Sequence, residues 1–174
     1  MKIHYEESFG TNTPASNVLE DGKTDQYDHD LSMANYWLGV MNQNSEFIIK
    51  LKCKTMIRGV IIRNGQNFYK SWGTKKFSLY LALQADGPWT KVLTDTLEDP
   101  RSLSPVPKTN HKFNIAKKGY FIKFRSEEFY GRGPAIQFFD VLSNYYEKTY
   151  FAISALAAAN CDTYTFQTKN VDFR

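Results

Sequence analysis

Seven residues in two short stretches carry the chemistry that points furthest towards a function. Arg63, Asn64, Phe68, Tyr69 and Trp72 lie in the first stretch, and Tyr130 and Arg132 in the second. An aromatic face stacks on the C–H surface of a sugar ring while amide and guanidinium groups bond its hydroxyls. An anionic lipid head group wants exposed apolar side chains ringed by cations. Both chemistries are present in RNGQNFYKSWG, residues 63–73. A structural reading competes with them, in which Phe68 and Trp72 cap the open end of the core. Asn64-Gly65 is by itself a turn signal. Phe129-Tyr130-Gly131-Arg132 also reads as a glycine-rich turn with an arginine at the surface. Large exposed apolar clusters mark contacts, but the residues alone leave the choice between binding face and plug open.

The elements that must position these groups are strands. Phe77, Leu79, Leu81 and Leu83 alternate with Lys76, Ser78, Tyr80 and Ala82, the period of a strand with one buried face. Val60-Ile61-Ile62 is β-branched and apolar on both faces, as an interior strand would be. Strands are expected over 46–52, 56–63, 75–83, 89–93 and 135–142. A hairpin with arms at 112–115 and 119–125, closed by Ala116-Lys117-Lys118, completes the set. Residues 1–14 read as a leader strand or tail, 26–45 as a long surface loop into which Tyr36-Trp37-Leu38 tucks, 98–110 as an irregular connection, and 127–134 as a loop. Beyond Asn144, Tyr146, Tyr150, Ile153 and Ala157 fall at helical spacing, giving a short amphipathic helix with a β alternative. Seven or eight short strands with turn signals and no alternating helices argue for an all-β antiparallel sandwich.

Composition narrows the function classes. The chain has 174 residues, 42% hydrophobic and 16% aromatic, with 13 Phe, 11 Tyr and a net charge of +4. This suits one domain with one sizeable core and neither demands nor excludes an anionic partner. The two cysteines, Cys53 and Cys161, are too few for a disulfide framework, and pairing and a half-buried free thiol stand as alternatives. No apolar run reaches the length of a membrane span, and the first 25 residues lack the apolar core of a signal peptide. His4, His29 and His111 are scattered, and no nucleophile, phosphate-loop or metal-ligand motif is present, so the expectation is that the chain is not an enzyme. No recognised nucleic-acid-binding signature is found either.

The order of several motifs resembles the discoidin-like, coagulation factor V/VIII type C domain, within the galactose-binding-like jelly rolls. The matching stretches are Ala15–Gly22, Phe47–Leu51, Ile57–Asn64, Gly73–Leu79, Trp89, Gly119–Phe124 and Ala135–Leu142, covering residues 8–143. The resemblance implies a jelly-roll β-sandwich of about eight strands at 1–143 and a C-terminal extension at 144–174 packed on it or following it. It also implies a non-catalytic module, extracellular or at the cell surface, whose loops at one end bind a glycan, a phospholipid head group or a cell-surface protein. On this reading Arg63, Asn64, Phe68, Tyr69, Trp72, Tyr130 and Arg132 form the ligand-binding set. A protein–protein adhesion domain using the aromatic loops and the Tyr146–Ala159 helix is the alternative. Many relatives carry a structural calcium at the Asp-Gly turn, which maps onto Asp21 and Thr24. The acidic loop Asp21, Asp25, Asp28, Asp30 lacks the spacing of the helix–loop–helix calcium motif. The last strand also offers Gln137 where calcium-binding relatives place a glutamate, the harder ligand. Two further departures are the absence of the end-to-end cysteine pair and the late tryptophan, Trp37.

Overall fold

A computed structural model of the chain describes residues 1–9, 13–19, 36–65 and 71–143. Seven strands lie among them: β1 (Lys2–Glu6), β2 (Trp37–Leu38), β3 (Glu46–Asn64), β4 (Trp72–Ala82), β5 (Thr90–Thr96), β6 (Lys108–Gly131) and β7 (Ala135–Ser143). All pair antiparallel, in the order β2-β7-β3-β6-β4-β5, with β1 on the other side of β3. The expected helix after Asn144, the C-terminal extension and Cys161 lie outside the described residues.

The sandwich arises because β3 and β6 each serve both layers. Residues 46–50 of β3 pair with 121–125 of β6, and residues 59–63 with 108–112. The first half of β3 is flanked by β1, the second by β7. The second half of β6 is flanked by β4, which carries β5. Register shifts at Lys50/Thr55 and Ile57/Gly59 mark where both strands turn the corner, as bulges do. This corrects two expectations. The segments at 46–52 and 56–63 are one bent strand, and 112–125 is not a hairpin. Lys117 and Lys118 do not reverse the chain but pair across to Ile57 and Met56.

The core follows the period-two pattern. Phe47, Ile49 and Leu51 of β3, Phe77, Leu79 and Leu81 of β4, and Ile122 and Phe124 of β6 are buried together. Leu83, expected to continue the stripe, lies past the end of β4 and is 48% exposed. Phe47, Phe124 and Phe77 stack across three neighbouring strands, with centroids 4.9 and 5.4 Å apart. Trp37 meets Phe47 edge-on at 5.0 Å, and its indole N–H donates to the Glu7 carbonyl at 3.0 Å. That bond lets so large a polar-tipped ring be fully buried. The expectation that Tyr36-Trp37-Leu38 enters the core holds.

One buried polar contact ties β5 to β6. His111, wedged edge-on against Phe77, places Nδ1 2.7 Å from Asp95 Oδ2 and Nε2 2.8 Å from Thr109 Oγ1. Burial pushes the Asp95 carboxyl up, but the His111 hydrogen bond, the Thr96 N–H and the attraction of His111 outweigh it and hold the group below its ordinary value. A carboxylate whose pKa is lowered by folding stabilises the fold above its unfolded value. That stability is lost as pH falls through the folded one. Thermal melts between about pH 5 and 2 should therefore show an acid limb that is shallower in Asp95→Asn than in the unaltered chain. Identical limbs would refute the contribution.

Candidate functional site

Both ends of β3, the starts of β4 and β7 and the end of β6 meet at one end of the sandwich. There the turns at 39–45, 64–65, 71–73, 97–102 and 131–135 come together. The two stretches singled out from the sequence are joined directly. Trp72 pairs with Gly131 and Gly73 with Tyr130, and the Arg132 N–H donates to the Ser71 carbonyl at 2.7 Å. The loop expected at 127–134 is shorter than its composition suggests. Strand β6 runs on to Gly131, whose φ of +65° takes the chain out of the sheet into the Arg132–Pro134 turn. Gly131 also has to be glycine for space, since a Cβ there would lie 2.3 Å from the Ser71 carbonyl oxygen.

Two of the expected binding residues face inward. Trp72 is 3% exposed and packs with Tyr36, Leu38, Ala135 and Met41. Gly133 lies so close over its ring that a Cβ there would come within 2.4 Å. At this residue the plug reading describes the structure, because the apolar floor of the loops needs a large side chain to close it. Asn64 is buried as well. Its Nδ2 donates to the carbonyls of Thr74 (2.7 Å) and Glu98 (2.9 Å), and its Oδ1 accepts from the Thr74 N–H (2.9 Å). Asn64 is thus a clamp joining the end of β3 to the start of β4 and to the segment after β5. Arg63 is half-buried at the strand end. Phe68 and Tyr69, like Asp21 and Thr24, lie outside the described residues. Gln137 is half-buried on β7 and presents a neutral amide.

The groups left facing solvent fall on two flanks of Trp72. On one flank Phe9 leans on the indole at 5.3 Å and is itself 45% exposed. Beside it the exposed run Asn42-Gln43-Asn44 meets the exposed Arg132, the Asn42 N–H donating to the Arg132 carbonyl at 2.7 Å. On the other flank Tyr130 donates its hydroxyl to the Leu97 carbonyl at 3.1 Å, which fixes the ring. The Arg101 guanidinium lies 5.6 Å from that ring's centre. Arg101 also grips Asp99 through Nε (2.8 Å) and Nη2 (2.6 Å), and these bonds hold the Asp99 carboxyl below the usual carboxylate range. This end thus offers aromatic faces, amides, two guanidinium groups and one ionised carboxylate on a backbone locked by buried hydrogen bonds. Such a set bonds vicinal hydroxyls and stacks on a ring.

Phe9, the Asn42–Asn44 amides, Asp99 and Arg101 escaped the sequence reading. For the last pair a signal existed. Asp99 followed by Pro100 is an N-cap with proline at the first helical position, and Asp99 does cap the short helical turn Pro100–Ser102. Phe9 carried no local signal, since its position depends on a bond from its N–H to the Leu38 carbonyl, across the sandwich edge.

These observations define an antiparallel jelly-roll sandwich with a polar–aromatic face at its loop end. No protein-family model matches the sequence, and no curated protein matches it. Solved structures do. Chitosan-binding module 1 of a chitosanase/glucanase from Paenibacillus sp. IK-5 superposes with a TM-score of 0.60 at 13% identity, over 80% of this chain and 92% of that one. A Clostridium perfringens module solved with GalNAc-β-1,3-galactose gives 0.59 at 15% identity, over 82% and 93%. The family 32 carbohydrate-binding module of C. perfringens NanJ, solved with galactose, gives 0.56 at 16% identity, over 79% and 90%. At such identities the likeness is one of fold, the antiparallel β-sandwich. Among the described residues no helix is long and apolar enough to cross a membrane.

Proposed function

We propose that the chain is a non-catalytic carbohydrate-binding module that takes a glycan at its loop end. The observation that carries this reading is the grouping of Phe9, Asn42, Arg132, Tyr130 and Arg101 around the buried Trp72. Phe9 supplies an exposed face for a pyranose ring, Arg132 and the neighbouring amides supply hydroxyl-directed donors and acceptors, and Asp99 accepts from a hydroxyl. The rigid seat lowers the entropy cost of ordering these groups on binding. The likeness in fold to modules solved with galactose and GalNAc-β-1,3-galactose supports a galactose-bearing glycan as the first ligand to try.

The test is a glycan array followed by calorimetry on its best ligand. Phe9→Ala/Arg132→Ala should weaken that ligand at least about tenfold while leaving the melting curve close to that of the unaltered chain. Absence of any glycan binding by the unaltered chain, or equal affinity in the double variant, would overturn the proposal. Retention on phosphatidylserine vesicles and on no glycan would replace it by a lipid reading.

A further inference from the structure

We propose that the opposite end of the sandwich is a second, separate binding surface, for an acidic polysaccharide bearing carboxylate or sulfate groups. Here β3 and β6 turn their corners, β4 passes into β5 and β7 ends. The residues involved are 51–58, 83–89, 112–119 and 142–143, and Asp86 is the one acidic residue among them. Against it stand Lys52, Lys54, Lys112, Lys117 and Lys118, all exposed. None of these five pairs with a carboxylate among the described residues. Several cations elsewhere are matched. Lys75 and Lys76 reach Glu128, Lys123 reaches Glu46 and Arg101 reaches Asp99. Five lysines with one acidic neighbour among these segments are therefore concentrated at one end, where they attract a polyanion and repel one another in its absence.

Strand alternation and the corner together place the lysines there. Pairing between β3 and β6 lapses between Lys50 and Thr55 and again near Ile57. Lys52 and Lys54 alternate with the less exposed Leu51 and Cys53, Lys112 lies between the buried His111 and Phe113, and at the corner the successive Lys117 and Lys118 are both exposed. Beside two of these lysines lies a concave cleft of about 370 Å³ with Leu81, Ala82, Leu83 and Pro88 along it and Lys117 and Lys118 in its wall. An apolar floor beside two ammonium groups matches a uronate or sulfated sugar, whose C–H face and anionic group point in different directions. The concavity favours a chain ligand over a flat membrane. Single-stranded nucleic acid would need a free aromatic platform, whereas at this end Trp89 already has the Lys123 ammonium 4.5 Å from its ring centre.

The site is distinct from the loop end, so the two proposals can fail separately. The intact chain is titrated with alginate and with dextran sulfate, and in parallel with neutral dextran and phosphatidylserine vesicles. Binding to an acidic polysaccharide, absent for neutral dextran, is expected, and it should weaken between about 10 and 150 mM salt as screening shortens from about 30 to 8 Å. Lys117→Glu/Lys118→Glu should lower the affinity roughly tenfold or more. A control with the same charge change at the other end, Lys75→Glu/Lys76→Glu, should retain it, as should Phe9→Ala/Arg132→Ala. Equal losses in the two lysine double variants would reduce the effect to net charge and overturn the proposal. Failure to bind either acidic polymer, or binding to vesicles alone, would overturn it too.

Discussion

Replacing Trp72 by alanine is expected to destabilise the domain by about 3–5 kcal/mol, the range for removing a large buried aromatic. The indole closes the loop end from beneath, against Tyr36, Leu38 and Ala135, with Phe9 on one side and Gly133 pressed over it. Backbone pairing of Trp72 with Gly131 limits how far the surroundings can collapse into the void. Urea unfolding of the variant should show a lower midpoint at an unchanged slope. A loss within about 0.5 kcal/mol, typical of a surface substitution, would return Trp72 to the role of an exposed stacking platform. With the expected large loss of stability, weaker glycan binding by this variant would reflect the collapse of the seat under Phe9 and Arg132, not a lost contact with sugar.

Asn64→Ala is expected to cost about 2–4 kcal/mol. It strands the Thr74 N–H and the Thr74 and Glu98 carbonyls in the interior, each at about 1–3 kcal/mol if wholly unsatisfied, with partial relief from entering water. Asn64→Asp should be no milder. It keeps an acceptor for the Thr74 N–H but sets a second oxygen against two carbonyls. The discriminating readout is amide exchange at Thr74, which should lose protection in both variants before the middle of β4 does. Full protection at Thr74 in Asn64→Ala would show that the clamp is not what joins the start of β4 to the end of β3.

Much of the strand content was legible because one-sided burial imposes a period of two. Phe77, Leu79 and Leu81 announced β4, and Val60-Ile61-Ile62 announced an interior strand. The inward position of Asn64 was legible by the same rule, since Val60, Ile62 and Asn64 share a parity and all three are buried. Its polarity and the following glycine drew it instead into the binding set. Trp72 was harder. Bulges between Thr74 and Phe77 shift the register of β4 on β6. Trp72 and Phe77 therefore both face inward although their numbers differ by an odd count. A local pattern does not reveal a bulge, because the extra residue is defined by the partner strand.

By itself the sequence determined the class of architecture and the raw materials of a binding face. Alternating apolar residues can satisfy their backbones and bury one side only as paired strands, and 13 Phe and 11 Tyr supply the filling. The resemblance of motif order to a jelly-roll family pointed to the end of the sandwich where Ser71–Gly73 and Tyr130–Gly133 do meet. Tertiary structure alone decided which of those groups face solvent. It turned Trp72 and Asn64 into supports, brought Phe9 and Arg101 to the rim, and left five lysines at the far end without a carboxylate partner among the described residues. Exposure and charge pairing depend on contacts between residues distant along the chain. Phe9 reaches Trp72, and Asn64 reaches Glu98. No window of local sequence contains both partners of such a contact.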